Sequence, residues 1–181
     1  VGDIMELQEE NRIIVKEGLK RIHHTKNIGL KSLIEVNGLE RDSISAYHIG
    51  FVLGPCINAG GRLDTAKRAL ELFSSEEKES ADRLAGDLKA LNDSRKELTK
   101  EGVEEAIRQV LETGRRSEKV LVIYLPDCHE SIAGIIAGRI KERFYRPTIV
   151  LTDAEEGIKG SGRSIPGYHM FEELSKVAEL F

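Results

Sequence analysis

Residues 119–124 read Lys-Val-Leu-Val-Ile-Tyr, a continuous run of β-branched and large apolar side chains. Such a run is typical of a strand that is covered on both faces, as in a parallel sheet. Helical and strand patterns alternate after it, over Ser131 to Phe144, Pro147 to Leu151, Gly157 to Ser164, and from Tyr168 or His169 onward. This alternation predicts an α/β unit with a parallel pair of strands.

The segment that precedes this unit, from about Ser75 to Thr113, is dominated by charged residues, leucine and alanine. Its leucines recur at helical spacing: Leu84, Leu88, Leu91 and Leu98. We predict one long helix, which would measure about 57 Å if it were continuous. Asn92-Asp93-Ser94 and Gly102 are weak helix formers, so we expect a bend or a break near them. The leucine repeat is too short to favour a coiled coil.

The first 73 residues read as a cluster of short helices. The predicted helices are 9–24, Leu30 to Val36, one from Ser43 or Ser45 toward Phe51, and Thr65 to Phe73 with Asp64 as its N-cap. The first is amphipathic, with a broad apolar face that includes Ile14, Leu19 and Ile22. Residues 54–64 are rich in Gly and Pro, so we expect an irregular connection there.

Composition limits the classes of function. With 181 residues and a formal net charge of −4, the chain is not a uniformly basic nucleic-acid coat, so phosphate contacts must come from local clusters. Two distant cysteines, Cys56 and Cys128, fit a reducing cytosol without a disulfide framework. We find no signal peptide or membrane span. The first residue is Val1 and the last residues continue a helical pattern, so we expect a piece of a longer protein.

Residues 159–169, Lys-Gly-Ser-Gly-Arg-Ser-Ile-Pro-Gly-Tyr-His, predict an anion-binding segment. Its glycines allow close backbone approach and let successive amide groups point at one ligand. Ser161, Arg163, Ser164 and His169 add side-chain donors for phosphate oxygens. The alternative is a strand end followed by an Ile-Pro-Gly turn, and the pattern does not decide between the two.

Asn58 and Arg62 form a second candidate site, because they lie four residues apart around two glycines and before a predicted helix start. Arg62 could hold a phosphate there. In the alternative interpretation Asn58 caps a turn and Arg62 pairs with Asp64. Cys56 is expected to be a buried, inert thiol.

The helix from Ser131 carries the third candidate. Its apolar face is defined by Ile132, Ile136 and Ile140, and on a helical wheel Arg139 falls in the same sector, where it could meet an anion. His129, just before the helix, could donate to a phosphate or simply cap the helix. No carboxylate and histidine stand at metal-ligand spacing in the sequence.

Several motifs occur in a fixed order along the chain: Asp3, Glu10-Asn11-Arg12, Gly18-Leu19, residues 54–64, residues 129–139, residues 141–147 and residues 159–164. Together they closely resemble the RecJ family of single-strand-specific DNA exonucleases, within the DHH phosphoesterase superfamily. The resemblance covers nearly the whole chain. It implies an α/β protein in which 1–74 are the helical end of a DHH domain, 75–115 a connecting helix, and 116–181 the first part of a DHH-associated domain that clamps the substrate.

The resemblance implies a longer enzyme of DNA repair and recombination that hydrolyses single-stranded DNA from 5′ to 3′ with Mn²⁺ or Mg²⁺. Asp3 matches the last metal-binding aspartate of the family, whereas the Asp-His-His signature has no counterpart here, so this piece is expected to be inactive alone. The residues implied to contact DNA phosphates are Asn58, Arg62, His129, Arg139, Ser161, Arg163, Ser164 and His169.

This sequence departs from the family pattern at Cys56, Cys128 and Ser131, which puts substrate contacts there in doubt. The resemblance further implies single-stranded DNA as partner, allows a helicase or a single-strand-binding protein, and fits a cytoplasmic monomer without a membrane. Two alternatives stay open: a phosphodiesterase of short oligonucleotides or cyclic dinucleotides, and a non-catalytic nucleic-acid-binding scaffold of the same fold.

Overall fold

The computed structural model describes residues 1–2, 5–63 and 65–180. The chain divides into two compact units, Val1–Arg95 and Lys96–Phe181. Each unit has a hydrophobic core of its own. Among the helices of the described residues, none combines the length and the apolar character that crossing a bilayer requires.

The first unit is helical, as the sequence predicts. Its helices are α1 Glu9–Ile22, α2 Ile28–Val36, α3 Ala46–His48, α4 Gly54–Leu63, α5 Lys67–Ser74 and the first part of α6 Lys78–Glu112, with a short 3-10 turn at Arg41–Ser43. Leu33 and Ile34 of α2 pack with Leu72 of α5 and Leu88 of α6 in the core. Asp64, the predicted cap of α5, lies outside the described residues.

Two helix ends form as the cap residues indicate. The side chain of Asn27 accepts a hydrogen bond from the backbone amide of Leu30 and so begins α2. At α3, Ser45 is the N-cap residue and its backbone amide donates to His48 Nδ1. The predicted helix α1 forms: Ile22 of its apolar face is partly buried against the core of the first unit, whereas Ile13 and Ile14 are exposed.

The expectation of an irregular segment at 54–64 was wrong, because α4 is a regular helix from Gly54 to Leu63. A π-helical turn, Ile49–Leu53, joins it to α3 without a break. The amide of Gly54 accordingly donates to the carbonyl of Ile49, five residues back. A widened turn suits Pro55, which has no amide hydrogen and would crowd the carbonyl four residues before it in a tight helix. Glycine and proline thus shape a helix here instead of ending one.

Helix α6 is continuous over Lys78–Glu112, so the expected break at Asn92-Asp93-Ser94 or Gly102 does not occur. Its 35 residues correspond to a length of about 52 Å. Gly102 has a packing role: a β-carbon there would stand 2.4 Å from Ile136 Cδ1. Asn92 is buried, and its side-chain amide donates to Cys56 Sγ of α4 at 3.5 Å.

The second unit contains the predicted strands and helix: β1 Leu121–Tyr124, α7 Glu130–Phe144, β2 Thr148–Ala154 and β3 Gly157–Arg163, followed by α8 Met170–Ser175. β1 and β2 are parallel, as expected from the helix between them, and β3 pairs antiparallel with β2 in the order β1-β2-β3. The core of this unit is formed by α7, β1, β2 and the end of α6, with Ile136, Ile123 and Val150 buried.

Candidate nucleic-acid interface

Asn58 and Arg62 occupy the exposed side of α4, one helical turn apart. They line a groove of about 700 Å³ together with Gly2 and Gly61, while its apolar wall is made by Ile22, Leu30, Ile49, Leu53 and Ile57. An amide and a guanidinium beside an apolar wall can bind a phosphate and the base or sugar attached to it. Both side chains therefore line the same groove.

The second candidate cluster lies on β3. The pairing register places Lys159 opposite Thr152, Ser161 opposite Val150 and Arg163 opposite Thr148. Those three β2 residues are buried on one face of the sheet, the face that α7 covers. Because side chains alternate along a strand, Lys159, Ser161 and Arg163 share that face and form one row of donors at the edge of the sheet.

Gly134 of α7 makes room for this row. A β-carbon at Gly134 would stand 2.6 Å from Ser161 Oγ and 2.7 Å from Arg163 Nη2, so only glycine permits both side chains to lie where they do. Nη1 of Arg163 donates to the carbonyl of Gly162 at 2.8 Å and to Ser161 Oγ at 3.5 Å. Glycine at this position of α7 therefore lets the β3 side chains approach the helix closely.

Lys159 extends the row and was not among the residues chosen from the sequence. Its Nζ donates to a carboxylate oxygen of Glu130 at 2.8 Å. This hydrogen bond raises the pKa of Lys159 and lowers the pKa of Glu130. Lys159 and Ser161 line a cavity of about 240 Å³ with Glu130 and Ser131 at the start of α7. The alternation Lys159, Ser161, Arg163 along a predicted strand was the sign in the sequence that could have identified it.

The backbone of 159–163 differs from the expected anion cradle. Since β3 is an extended strand, successive amide groups point to opposite sides and cannot converge on one ligand. The turn of the alternative interpretation also forms: the amide of Tyr168 donates to the carbonyl of Ile165 at 3.2 Å, with Gly167 at φ 85°. The donors that this segment offers are therefore side chains.

Two further residues proposed from the sequence take part in local structure. The hydroxyl of Ser164 donates to the carbonyl of Tyr168 and so closes the turn. His169 is the N-cap of α8, where Nδ1 accepts from the amide of Glu172 at 3.4 Å, and its ring lies 3.8 Å from the Glu172 carboxylate. Both side chains are thus engaged by their own loop.

His129 likewise caps its helix. Its Nδ1 accepts from the amide of Ser131 at 3.3 Å and lies 2.8 Å from the Ser131 hydroxyl, which is the capping alternative of the sequence analysis. The groove that it lines also contains four carboxylates, those of Glu130, Asp153, Glu155 and Glu156. Lys159 of the β3 row lines the same groove, so His129 shares this acidic surrounding with one cation of the row, and its Nδ1 is already used in the helix cap.

Arg139 does not lie on the buried face of α7. Its side chain is 67% exposed and its guanidinium stands 3.7 Å from the carboxylate of Glu142. The helical wheel placed it near Ile136 and Ile140 in angle, yet those two are buried and Arg139 lies beyond the edge of their stripe. It remains an accessible cation rather than a buried one that reaches into a cleft.

The predicted metal ligand Asp3 lies outside the described residues. Among the residues that the structure does describe, no three His, Cys, Asp or Glu side chains come together to hold a metal ion. The described part of the chain therefore does not by itself fit a divalent-metal site. Of the departures from the family pattern, Cys56 is fully buried and Cys128 is half-buried, with burial raising the pKa of the Cys128 thiol.

Comparison with known proteins agrees with the motifs. Residues 117–181 match the DHHA1 domain family. The chain is 39% identical to the single-stranded-DNA-specific exonuclease RecJ of Salmonella typhimurium, over 100% of this chain and 32% of that protein. It is 37% identical to RecJ of Bacillus subtilis, over 99% of this chain and 23% of that protein. The chain thus spans about a third or less of the length of the curated relatives that it matches.

Solved structures agree over the same range. RecJ from Thermus thermophilus in complex with Mg²⁺ superimposes with a TM-score of 0.85 at 31% identity, covering 99% of this chain and 27% of that one. The Mn²⁺ complex of RecJ from the same organism gives a TM-score of 0.84 at 32% identity, with 99% and 26% covered. The described fold, helical first unit and small α/β second unit, is therefore the fold of the corresponding part of those proteins.

Proposed function

We propose that this chain, which belongs to the RecJ family, is the part of a single-strand-specific DNA exonuclease that holds the phosphates of the DNA strand. The observation that carries the proposal is the row Lys159, Ser161 and Arg163 on one face of β3, packed against a glycine of α7. Asn58 and Arg62 on α4 add a second phosphate-binding pair.

The chemistry of the β3 row supports this function. The two cations and the hydroxyl lie on every second residue, about 6.6 Å apart along the strand. An extended polynucleotide can therefore contact them one after another. Arginine binds phosphate oxygens through a planar fork, while lysine acts as a point charge. None of these contacts reads a base, which suits an enzyme that must degrade any sequence.

The reaction we propose for the longer protein is the hydrolysis of phosphodiester bonds from the 5′ end of single-stranded DNA, in repair and recombination. The similar solved RecJ structures are complexes with Mg²⁺ or Mn²⁺, and we propose the same type of cation for the longer protein, with Asp3 as one ligand. A bound divalent ion would activate water and stabilise the charge on the phosphate. The residues described here hold and orient the strand.

The resemblance to the RecJ family is the basis for the domain boundaries that we propose. We assign residues 1–74 to the end of the DHH domain, 75–115 to the connecting helix and 116–181 to the DHH-associated domain. The same proposal includes a helicase or a single-strand-binding protein as partner, a monomeric state and a cytoplasmic location. Two free cysteines are consistent with a reducing compartment.

Binding of a labelled oligothymidylate to the chain, measured by fluorescence anisotropy at increasing salt, tests the phosphate-holding part. Each phosphate contact contributes about −0.7 to the log–log slope of affinity against salt for a single strand. We expect Arg163→Ala and Arg62→Ala each to make the slope shallower by about this amount. Unchanged slopes in both variants would remove the assignment of these residues.

The activity itself is tested in the longer RecJ-type protein that contains this sequence. We expect release of nucleotides from long single strands in the presence of Mn²⁺ or Mg²⁺, and a loss of activity in Arg163→Ala. A protein that hydrolyses only dinucleotides would instead support a small-phosphoester substrate. A protein that binds DNA without metal-dependent hydrolysis would support a scaffold.

A further inference from the structure

The face of α7 that lies against the β3 row continues to the end of the helix. Gly134 and Gly138 belong to this face, since a β-carbon at either position would contact the side chain of Arg163. Lys141 and Tyr145 follow Gly138 at steps of three and four residues, which keeps them on the same face. The amide of Tyr145 still donates to the carbonyl of Lys141 at 2.8 Å, so the helical backbone reaches this residue. About 10 Å of helix therefore separates Tyr145 from the stem of Arg163.

Tyr145 is the C-cap of α7 and has a left-handed backbone, with φ 51° and ψ 51°. Glycine is the usual residue in this conformation, because any side chain adds a steric cost. The ring of Tyr145 does not offset that cost by burial, since the residue is 61% exposed. Packing within the described part of the chain thus does not explain an aromatic residue here.

The surroundings of this exposed ring are cationic. Lys141 and Arg143 lie in the last turn of α7, and Arg146 comes directly after the cap. Nη1 of Arg146 donates to the carbonyl of Tyr145 at 3.0 Å, which holds the guanidinium next to the cap residue. The neighbouring carboxylate, that of Glu142, is 3.7 Å from an arginine of its own helix. This end of α7 is therefore complementary in charge to a polynucleotide.

We propose that Tyr145 is a base-stacking residue, which receives a base of the single strand whose phosphates the β3 row holds. The inference rests on the proposed function of that row and adds a contact to the bases of the same strand. It also gives a role to residues 141–147, a motif of the sequence that the proposed function does not use.

The chemistry of stacking suits a single-stranded ligand of any sequence. Every base has an aromatic face, so a tyrosine ring accepts all four bases without reading their edges. In a duplex these faces are covered by the neighbouring base pairs, and a base must leave the stack before it can lie on a side chain. Tyr145 would therefore favour single strands over duplexes, which the phosphate contacts of the β3 row alone do not do.

The first test compares variants of the chain in their binding to a labelled oligothymidylate. We expect Tyr145→Gly to weaken binding about tenfold, within the range for the loss of one stacked base. Its thermal unfolding midpoint should not fall, because glycine suits the left-handed cap. Tyr145→Phe keeps the ring and should keep the affinity. The matched control is Phe171→Ala, which removes a 76% exposed ring of α8 and should leave binding unchanged.

The second test separates bases from phosphates with an abasic strand of equal length. Tyr145→Gly should bind the abasic strand as the wild type does, whereas Arg163→Ala should lose affinity for both strands. The salt slope should stay unchanged in Tyr145→Gly, because no phosphate contact is lost. The chain contains no tryptophan, so Tyr145→Trp introduces a single reporter. Its emission should be quenched by oligothymidylate and not by the abasic strand.

These results distinguish the inference from the proposed function. If Arg163→Ala weakens binding but Tyr145→Gly matches Phe171→Ala, the stacking role is refuted and the proposed function stands. An equal loss for the normal and the abasic strand in Tyr145→Gly also refutes stacking, as does a Tyr145→Phe variant as weak as Tyr145→Gly. No binding by the wild-type chain overturns the proposed function and this inference with it.

Discussion

The guanidinium of Arg163 lies over Gly134, where a β-carbon would stand 2.7 Å from Nη2. A residue of β3 and a residue of α7 are thus matched in size, with the arginine occupying the space that the helix leaves empty. The match explains how a cation can lie along a covered face of the sheet and still be exposed at its edge.

Gly134→Ala should displace Arg163 and Ser161 without unfolding the protein. The atoms in the way are the ends of side chains, which can move, and alanine is the better helix former by about 1 kcal/mol. We expect oligothymidylate binding to fall about tenfold, the effect of losing a hydrogen bond to a charged group. Fluorescence anisotropy measures it.

The matched control is Gly138→Ala, one turn further along α7. A β-carbon there would lie 4.0 Å from Arg163 Cγ, an ordinary contact. It should gain similar helix stability and keep full affinity. Equal affinities in the two alanine variants would contradict the prediction that the space beside Gly134 is needed to hold Arg163 and Ser161 in place for DNA binding.

Glu130→Gln should strengthen DNA binding. The substitution removes the carboxylate that holds Lys159 Nζ at 2.8 Å and would repel a phosphate in the same cavity. An exposed ion pair is worth about 1 kcal/mol or less, so we expect a gain of roughly two- to fivefold at most. Glu112→Gln, which removes one of the two carboxylates that pair with Arg108 on α6, is the control and should leave binding unchanged. A weaker affinity in Glu130→Gln would mean that the ion pair positions Lys159 for its ligand.

Gly29→Ala should strongly destabilise the first unit. A β-carbon at Gly29 would lie 1.9 Å from the carbonyl oxygen of Leu72, a backbone atom that can move only if α2 and α5 separate. We expect a loss of about 3 kcal/mol in the free energy of unfolding. Gly86→Ala in α6 meets nothing within 4 Å and should instead gain about 0.5–1 kcal/mol. Urea unfolding of both variants measures the difference, and a mild effect at Gly29 would refute the tight packing of α2 on α5.

The reactivity of Cys128 should depend on pH in a way that the unfolded chain does not share. Burial raises the pKa of this thiol, so the folded state keeps its proton at pH values where an unfolded cysteine, with a pKa of about 8.5, has lost it. The contribution of this group to stability is therefore complete below about pH 8.5 and is lost as the pH rises through the folded pKa.

Thiol labelling with a disulfide reagent checks this directly. Below the pKa the labelling rate should rise about tenfold per pH unit, and in the native protein it should level off at a higher pH than in urea. Cys56, which is fully buried, should react only on unfolding. A native profile that coincides with the unfolded one would contradict the stated shift.

Periodicity was enough to predict most of the fold. The strand at 121–124, the α7 helix and the parallel pairing follow from β-branched runs and helical spacing, which report burial directly. The sequence did not predict α4, because Gly and Pro disfavour helices on average but not at every position. In this protein Gly60 allows close packing, since a β-carbon there would lie 3.1 Å from Leu88 Cδ2.

The types of residue in the candidate site could be predicted from the sequence, but the contacts of those residues could not. Ser164 and His129 contain the right atoms for a phosphate, yet local hydrogen bonds to a turn carbonyl and to a helix amide engage them. The positions of these residues raised the capping and turn alternatives, but spacing alone did not decide between them and phosphate binding. Lys159 was overlooked for the opposite reason, because its partner Glu130 lies on another element that only the folded chain brings near.

The π turn at Ile49–Leu53 determines the direction in which each later side chain of the same helix points. Each residue advances a helix by roughly 100°, so one residue fewer in that turn would leave Asn58 and Arg62 aimed about a quarter of a revolution elsewhere. A single-codon deletion between 49 and 53 would therefore preserve a helix and its composition while moving both side chains out of their groove. Length in this short stretch is under tighter constraint than the identity of its apolar residues.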